Sequence, residues 1–337
     1  MSSKTLIALA LNVENTRKAL DTMEEHAGTV DLAELRVDLM KECDLHVIMA
    51  NKPMPIIVTN RPAREGGAYE GDESARIGFL IKAVEFGAEY VDCEADAVQL
   101  FRRLTLRNTR LIVSKHDFQK MPDLHKLHQE LSQLDSDVVK LVGMARSPQD
   151  AAAPLKLLHV STVPTIALAM GSKGVASRIL ASRYGGYLTF VSAGVQGQQT
   201  APGQITAAMM QNDYFVNDMN SDTTICAYFC TSVSAQQLEI ASANRQIRSA
   251  GKNAVVVPFE IDREVKNGDI DALQQLGICT FAFAPDTVTA VSRLWPSVSA
   301  KSGEGVFLNF SQGQPRPYCI EPFMLSAAVK VWLAEFL

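Results

Sequence analysis

A single lysine, Lys140, interrupts the apolar run at residues 138–142. Burying an ammonium group is costly, and the cost is relieved when the group loses its proton and becomes a neutral, nucleophilic amine. Such an amine can form a Schiff base with a ketone. The alternative is a lysine on an edge strand whose ammonium group reaches water. Upstream, the apolar run that begins at Arg110 ends with a histidine, His116.

Polar side chains recur near the C-terminal ends of several apolar runs. In one of them, Glu34 and Arg36 share a face of a strand with a period of two residues. The other polar residues in this position are Asp38, Thr59, Arg61, Asp92 and Glu94. Functional groups gathered at the C-terminal ends of strands are typical of an α/β barrel or of a doubly wound sheet.

The number of strand-like runs distinguishes these two folds. Eight runs begin near residues 5, 30, 55, 88, 110, 137, 165 and 187, with amphipathic helical patterns between them, such as residues 74–86 and 121–134. Eight evenly spaced strands that alternate with helices predict a (β/α)8 TIM barrel. The sequence has neither a G-x-G-x-x-G turn after a strand nor a phosphate-binding loop, which argues against a dinucleotide-binding fold and a phosphate-loop NTPase.

Composition narrows the class of protein and its partners. The chain has 337 residues, enough for a barrel and a second domain, and 47% of them are hydrophobic, as in soluble globular proteins. A net charge of −5 predicts no general affinity for nucleic acid or for a membrane surface. Among the six cysteines, Cys226 and Cys230 have a spacing that metal ligands can have, but no second pair accompanies them, so we expect no metal. A cytoplasmic location is expected, because no signal or membrane-spanning segment is found in the sequence.

Six short motifs follow one another within residues 1–212. They are ELRVD at 34–38, RPAREGG at 61–67, SKHDF at 114–118, DVVK at 137–140, MG at 170–171 leading to SR at 177–178, and APGQ at 201–204. In this order and at these separations they resemble the type I 3-dehydroquinate dehydratase family, the Schiff-base enzymes of the shikimate pathway.

The resemblance implies a hydro-lyase that needs no cofactor. It would remove water from 3-dehydroquinate by syn elimination and form 3-dehydroshikimate, on the route to the aromatic amino acids. Lys140 would form a Schiff base with the C3 ketone, which acidifies the protons on C2. His116 would remove one of these protons and return a proton to the leaving C1 hydroxyl, while Glu65 holds the histidine in its orientation.

The same resemblance implies the residues that bind the substrate. Arg178 would bind the substrate carboxylate, with help from Gln204 and from the hydroxyl of Thr200. The residues that would hold the ring hydroxyls are Glu34, Arg36 and Arg61. Thr200 differs from the serine that is more usual in the family, so its hydroxyl is kept and a methyl group is added. We expect the small-molecule substrate as the main partner, and a homodimer as the assembly.

The remaining third of the chain has its own α/β pattern. We predict a barrel at residues 1–215, a linker at 211–222 and a smaller α/β domain at 222–337, with strands at 224–229, 253–259, 278–284 and 305–309 and a helix at 322–336. Residues 249–260 faintly resemble the substrate domain of shikimate dehydrogenase, which is fused to this dehydratase in plants. Where that family holds shikimate with serines, this chain has Gln237 and Glu239, and near the catalytic lysine position it has only Asp286 or Thr287. We therefore expect no second catalytic activity.

Two other functions stay open for the whole chain. Another class I Schiff-base lyase or aldolase would keep Lys140 but would not need Arg178 or the pair of His116 and Glu65. A non-catalytic binding protein derived from the fused enzymes would need none of these residues.

Overall fold

Eight parallel strands form the first sheet in the computed structural model, which describes residues 4–101, 108–194, 200, 203–262, 264–296, 304–310, 316–320 and 324–335. The strands are β1 (Leu6–Leu11), β2 (Leu32–Arg36), β3 (Ile56–Thr59), β4 (Tyr90–Glu94), β5 (Arg110–Asp117), β6 (Val138–Met144), β7 (Thr165–Met170) and β8 (Leu188–Val191). Their order is β7-β6-β5-β4-β3-β2-β1-β8, and β8 also contacts β7. The sheet thus forms a nearly closed barrel, which confirms the predicted (β/α)8 fold.

Helices connect most of these strands and cover the outside of the barrel. They are α1 (Thr16–Glu25), α2 (Leu45–Asn51), α3 (Glu73–Glu85), α4 (Leu124–Leu131), α5 (Pro148–Val160), α6 (Val175–Ile179) and, after β8, α7 (Ala207–Asn212). The first five begin at a residue whose side chain accepts a hydrogen bond from the first turn, which satisfies a backbone N–H that would otherwise lack a partner. These residues are Asn15, Asp44, Asp72, Asp123 and Ser147.

The alternation of side chains along the strands determines which residues enter the barrel. Leu32, Tyr90 and Val138 belong to the apolar cluster inside the barrel, whereas their neighbours in sequence pack against the helices. Side chains two residues apart share a face of a strand. The residues two positions further along these strands are Glu34, Asp92 and Lys140. Three charged groups therefore enter the barrel interior near the C-terminal ends of the strands.

A second, smaller sheet follows the barrel, as predicted. Its strands are β9 (Thr224–Cys230), β10 (Ala254–Glu260), β11 (Thr280–Phe283), β12 (Gly305–Asn309) and β13 (Arg316–Ile320), in the order β10-β9-β11-β12-β13. The first three are parallel to one another, and the last two add antiparallel pairs. The helices of this part are α8 (Val233–Ser249), α9 (Asn267–Gln274), α10 (Val288–Leu294) and α11 (Leu325–Glu335).

Strand β13 was missing from the sequence prediction. It contains Pro317 and follows a stretch rich in proline and glycine, which favours a loop. The strand lies at the edge of its sheet, where a residue without a backbone N–H is tolerated. The ends of the predicted closing helix, including Phe323 and Phe336, lie outside the described residues.

The segment predicted as a linker is partly buried. Tyr214 and Val216 are buried, and the Tyr214 hydroxyl donates to Gln237 Oε1 at 3.1 Å. Further contacts join the barrel to the second domain, because the buried Tyr184 hydroxyl donates to the carbonyl of Leu276 at 2.9 Å and α9 packs on α5. In the part of the chain that the structure describes, no helix is long and apolar enough to cross a membrane.

Candidate active site

A cavity of about 490 Å³ opens at the C-terminal ends of the barrel strands. It is lined by Glu34, Arg36, Arg61, Glu65, Gly66, His116, Phe118, Lys140, Val142, Leu168, Met170, Arg178, Phe190, Thr200 and Gln204. All nine residues that the sequence nominated for the site are among them. The fold thus brings the nine residues together, and their individual roles stay predictions.

Lys140 lies near the bottom of this cavity and is only 4% exposed. Its Nζ is 2.7 Å from Asp92 Oδ2, 3.3 Å from Glu34 Oε1 and 4.4 Å from the ring centre of Phe190. The lysine is therefore on an inner strand, not on an edge with its ammonium group in water. Burial was the only feature behind the expected nucleophilic amine, and the structure adds two carboxylates that accept hydrogen bonds from Nζ.

Asp92 is a residue that the sequence argument did not assign to the site. It is fully buried and accepts from both Lys140 and Arg61, whose Nη2 is 2.7 Å from Asp92 Oδ2. Burial would raise the pKa of Asp92, but the charges of Arg61 and Lys140 outweigh it and hold the carboxyl ionised. The pattern of polar residues at strand ends contained Asp92, yet nothing in the sequence identified its partners.

Arg61 has several hydrogen-bond and ion-pair partners within the protein. Besides Asp92, it contacts Glu94 at 2.5 Å and Ser114 Oγ at 2.7 Å. Burial acts to lower the pKa of Arg61, but Asp92 and Glu94 raise it further above its ordinary value. Arg61 therefore links β3 to β4 and β5 and fixes Asp92 beside Lys140.

His116 and Glu65 form a hydrogen-bonded pair at the rim of the barrel. His116 Nδ1 is 3.1 Å from Glu65 Oε2, which also accepts from the backbone N–H of His116 at 3.1 Å. Burial, together with the charge of Arg61, lowers the pKa of His116 to about 4, despite the hydrogen bond to Glu65. At neutral pH the ring is therefore neutral. Because a carboxylate can only accept, Nδ1 carries the proton and Nε2 is free to act as a base.

Glu65 has a second partner, Lys115, whose Nζ is 2.8 Å from Glu65 Oε1. Burial alone would raise the pKa of Glu65, but the hydrogen bonds from His116 and Lys115 lower it. Lys115 is thus a partly exposed neighbour of the acid–base pair. Two other cations near the motifs have partners of their own: Arg64 pairs with Asp96 and Glu73, and Arg183 donates to a backbone carbonyl.

Arg178 is a buried cation without a counter-ion. It is 2% exposed, its Nε lacks a hydrogen-bond partner, and no ion pair to it is found among the described residues. Burial lowers the pKa of Arg178 to about 10, and the charge of Glu34 opposes this only in part. The preceding Ser177 accepts from the backbone N–H of Ala169 at 2.8 Å and donates to the carbonyl of Gly174 at 2.7 Å, which fixes α6 against β7.

The remaining nominated residues complete the wall of the cavity. Thr200 and Gln204 bond to each other, with Gln204 Nε2 2.9 Å from the hydroxyl of Thr200. Arg36 is paired with Asp38 at 2.7 Å, and the Thr59 hydroxyl donates to Glu34 at 2.9 Å. Between residues 196 and 203, only residues 200 and 203 are described. Within the described ranges, no cluster of three His, Cys, Asp or Glu side chains could hold a metal.

Comparison with protein families agrees with this geometry. The family model described as "Type I 3-dehydroquinase" matches residues 7–221. A 3-dehydroquinate dehydratase of Methanocaldococcus jannaschii is 31% identical over 221 residues, which are 64% of this chain and 100% of that protein. A bifunctional 3-dehydroquinate dehydratase/shikimate dehydrogenase of Arabidopsis thaliana is 34% identical over 260 residues, which are 74% of this chain but only 43% of the plant protein.

Solved structures extend the similarity of fold. The 3-dehydroquinate dehydratase of Geobacillus kaustophilus has 26% identity and a TM-score of 0.55, over 62% of this chain and 89% of that one. The dehydroquinate dehydratase and shikimate dehydrogenase of S. pombe has 20% identity and a TM-score of 0.56, over 94% of this chain and 64% of that one. The second match shows a shared fold that includes the smaller domain.

Proposed function

The chain belongs to the type I 3-dehydroquinase family, and we propose that its cavity dehydrates 3-dehydroquinate to 3-dehydroshikimate through a Schiff base on Lys140. The observation that carries the proposal is one cavity that contains a buried lysine, a neutral histidine and a buried arginine with no ion pair among the described residues. The substrate needs each of these groups, since it has a ketone, an acidic carbon and a carboxylate.

Substrate binding begins with the carboxylate. Arg178 is the charged group of the cavity that lacks a partner within the described residues, so an incoming carboxylate relieves its unfavourable burial. The amide of Gln204 and the hydroxyl of Thr200 line the same cavity and add hydrogen bonds. Two residues of β2 that already have partners, Glu34 and Arg36, bind the ring hydroxyls.

Lys140 then attacks the C3 carbonyl carbon. Attack needs the neutral amine, so a proton on Nζ must first leave, and the neutral His116 is a base in the same cavity that can accept it. Attack gives a carbinolamine. His116 returns the proton to the carbinolamine hydroxyl, which leaves as water, so that the iminium forms and His116 is neutral again. The iminium withdraws electrons from C2 and so weakens the C2–H bond.

His116 carries out the elimination. Its Nε2 accepts a proton from C2, and the electron pair of that bond moves toward the iminium nitrogen and forms an enamine. The imidazolium, held by Glu65, then donates the proton to the C1 hydroxyl, which leaves as water while the C1–C2 double bond forms. Hydrolysis of the imine consumes the first water and releases 3-dehydroshikimate, so that one water is lost overall.

Covalent trapping tests the mechanism. Borohydride reduction of full-length protein with 3-dehydroquinate should add ligand mass to a single peptide, the one that contains Lys140. Lys140→Met should abolish both the adduct and turnover. Lys115→Met is the matched control, because this lysine also lies near the cavity but its ammonium group donates to Glu65. This variant should still form the adduct on Lys140. Turnover that survives Lys140→Met would rule out the Schiff base.

Arg178 separates this function from the aldolase alternative. A class I aldolase on the same barrel keeps the lysine but needs no group for the carboxylate of 3-dehydroquinate. A substrate analogue without the carboxylate should therefore bind much more weakly than 3-dehydroquinate to the unmodified enzyme, and equally weakly to Arg178→Ala.

We further propose a cytoplasmic location, a homodimer, and a division into a catalytic unit at 1–215 and a second domain at 222–337 without catalytic activity. The cysteines whose state is described are all free, which fits a reducing compartment. The Arabidopsis relative, by contrast, is described as chloroplastic. In the second domain, Gln237 accepts a hydrogen bond from the Tyr214 hydroxyl, and Glu239 accepts one from the backbone N–H of Leu325. Both side chains therefore stabilise the fold. The chain of 337 residues should not oxidise shikimate with either nicotinamide cofactor.

A further inference from the structure

The segment between β7 and α6, residues 171–174, determines where Arg178 lies. Gly171 ends β7 with a φ of 87°, and the backbone N–H of Gly174 donates to its carbonyl at 2.9 Å. The same carbonyl touches Gly203, where an added Cβ would lie only 2.1 Å away. The segment therefore supports both the helix that carries Arg178 and the stretch that leads into Gln204.

Two side chains of this segment contact the second domain. The Ser172 hydroxyl donates to the carboxylate of Glu260, and Lys173 Nζ pairs with the carboxylate of Asp262. Lys173 also donates to the carbonyl of Arg146 at 3.2 Å, just after the strand that carries Lys140. The second domain thus contacts the barrel beside the loops that follow β6, which carries Lys140, and β7.

The second domain is well suited to hold this segment in place. Glu260 ends β10, and its second oxygen accepts from the backbone N–H of Val233 at 3.1 Å, at the start of the 17-residue helix α8. A carboxylate at a helix N-terminus is favoured by the helix dipole. Glu260 therefore connects a long helix of the second domain with the barrel segment at 171–174.

Arg178 needs such support because no ion pair among the described residues fixes its guanidinium. A paired arginine is held by its counter-ion, but the guanidinium of Arg178 has no ion pair among the described residues, so the backbone that carries it must position it. A displacement of a binding group by a fraction of an ångström lowers the affinity for substrate.

Resting on the proposed dehydratase function, we propose that the second domain is a buttress for the substrate-carboxylate site. Ser172, Lys173, Glu260 and Asp262 are positioning residues that act through Arg178 and touch neither substrate nor Lys140. Their loss should weaken substrate binding and leave the chemical steps intact, because Lys140 and His116 are carried by other strands.

The test is steady-state kinetics of the full-length chain with 3-dehydroquinate. The double variant Ser172→Ala/Lys173→Met should raise KM about tenfold, which is about 1.4 kcal/mol, with kcat unchanged within about twofold, as expected from two partly exposed contacts. Lys156→Met is the matched control. It also removes a contact between the domains, from Lys156 to Gln275 at 2.6 Å, but on α5 and away from residues 171–174.

A second comparison shows whether the effect passes through Arg178. In an Arg178→Ala background, the double variant should cause no further loss of kcat/KM, because the group that it positions is absent. Asp262→Asn leaves the barrel sequence intact and should raise KM by a smaller factor than the double variant does. If thermal unfolding shows that the double variant does not fold, the Asp262→Asn variant still tests the proposal.

Three results would overturn the inference. They are an unchanged KM in the double variant, an equal rise of KM in Lys156→Met, and a loss of kcat/KM in the Arg178→Ala background as large as that in the unmodified protein. Each of these can be recognised only if the unmodified chain is active. An inactive unmodified chain would instead contradict the proposed dehydratase function.

Discussion

Replacing Arg178 with methionine should stabilise the free protein and at the same time abolish tight substrate binding. Burial without a partner lowers the pKa of Arg178 to about 10. A group whose protonated form is disfavoured by folding opposes folding at every pH below its folded-state pKa, so the cost is present in neutral buffer. Since one pKa unit corresponds to about 1.4 kcal/mol, the cost is about 3 kcal/mol.

The methionine variant loses this cost and keeps most of the apolar stem. We expect the free energy of unfolding to increase by about 1–3 kcal/mol, which raises the unfolding temperature by several degrees in a chain of this size. Loss of the carboxylate partner should cost about 2–5 kcal/mol of binding, so KM should rise by about 30-fold to several thousand-fold.

Thermal unfolding of the ligand-free proteins and initial rates with 3-dehydroquinate measure both effects. Arg178→Lys is the control, because it keeps a buried cation and should show no such gain in stability. A variant that unfolds at a lower temperature and keeps its KM would refute the reasoning, because it would show that Arg178 is anchored and that the carboxylate binds elsewhere.

Three further predictions concern the acid–base pair and the wall of the cavity. In the unmodified protein, kcat/KM should stay high down to about pH 4 and fall below it, because His116 must be neutral to accept a proton. Lys115→Met should raise, by less than about one unit, the pH below which kcat/KM falls, because the half-exposed ammonium group no longer competes with His116 for Glu65. An unchanged pH profile would show that Lys115 does not affect His116. His116→Ala should lose about 10²- to 10⁴-fold in rate per step and still accumulate the borohydride adduct. A variant that neither traps ligand nor turns over would show that His116 is needed for imine formation. Gly203→Ala should raise KM because its Cβ would meet the carbonyl of Gly171, and normal kinetics would show that the loop can shift.

The barrel could be predicted from sequence because it follows from local patterns, whereas the list of cavity residues came from the resemblance of six motifs to a known family. Apolar runs at even spacing determine the strands, and polar residues at their C-terminal ends converge because parallel strands end at one edge. The pairing of Lys140 with Asp92 joins strands that are far apart in the sequence, and no local pattern specifies it. The prediction therefore included burial of the lysine but omitted the carboxylates that offset it.

The second domain was predicted as a fold but not as a neighbour of the site. Its contacts with residues 172 and 173 use a serine and a lysine that look like ordinary surface residues in the sequence. The predicted linker at 211–222 was rich in Asn and Asp, which favours a loop, yet Tyr214 and Val216 pack into the protein. Such docking depends on the shape of two folded surfaces and not on periodicity.

The distribution of charge in the cavity explains how the substrate can be oriented. Arg61 and Lys140 share the carboxylate of Asp92, and Arg36 is neutralised by Asp38, so these groups offer hydrogen bonds but little net attraction for an anion. Arg178 alone offers an uncompensated positive charge within the described part of the wall. A single carboxylate on a small ring is therefore drawn to one corner of the cavity. We therefore expect Lys140, which lines the same cavity, to meet the ketone of the ring and not its carboxylate.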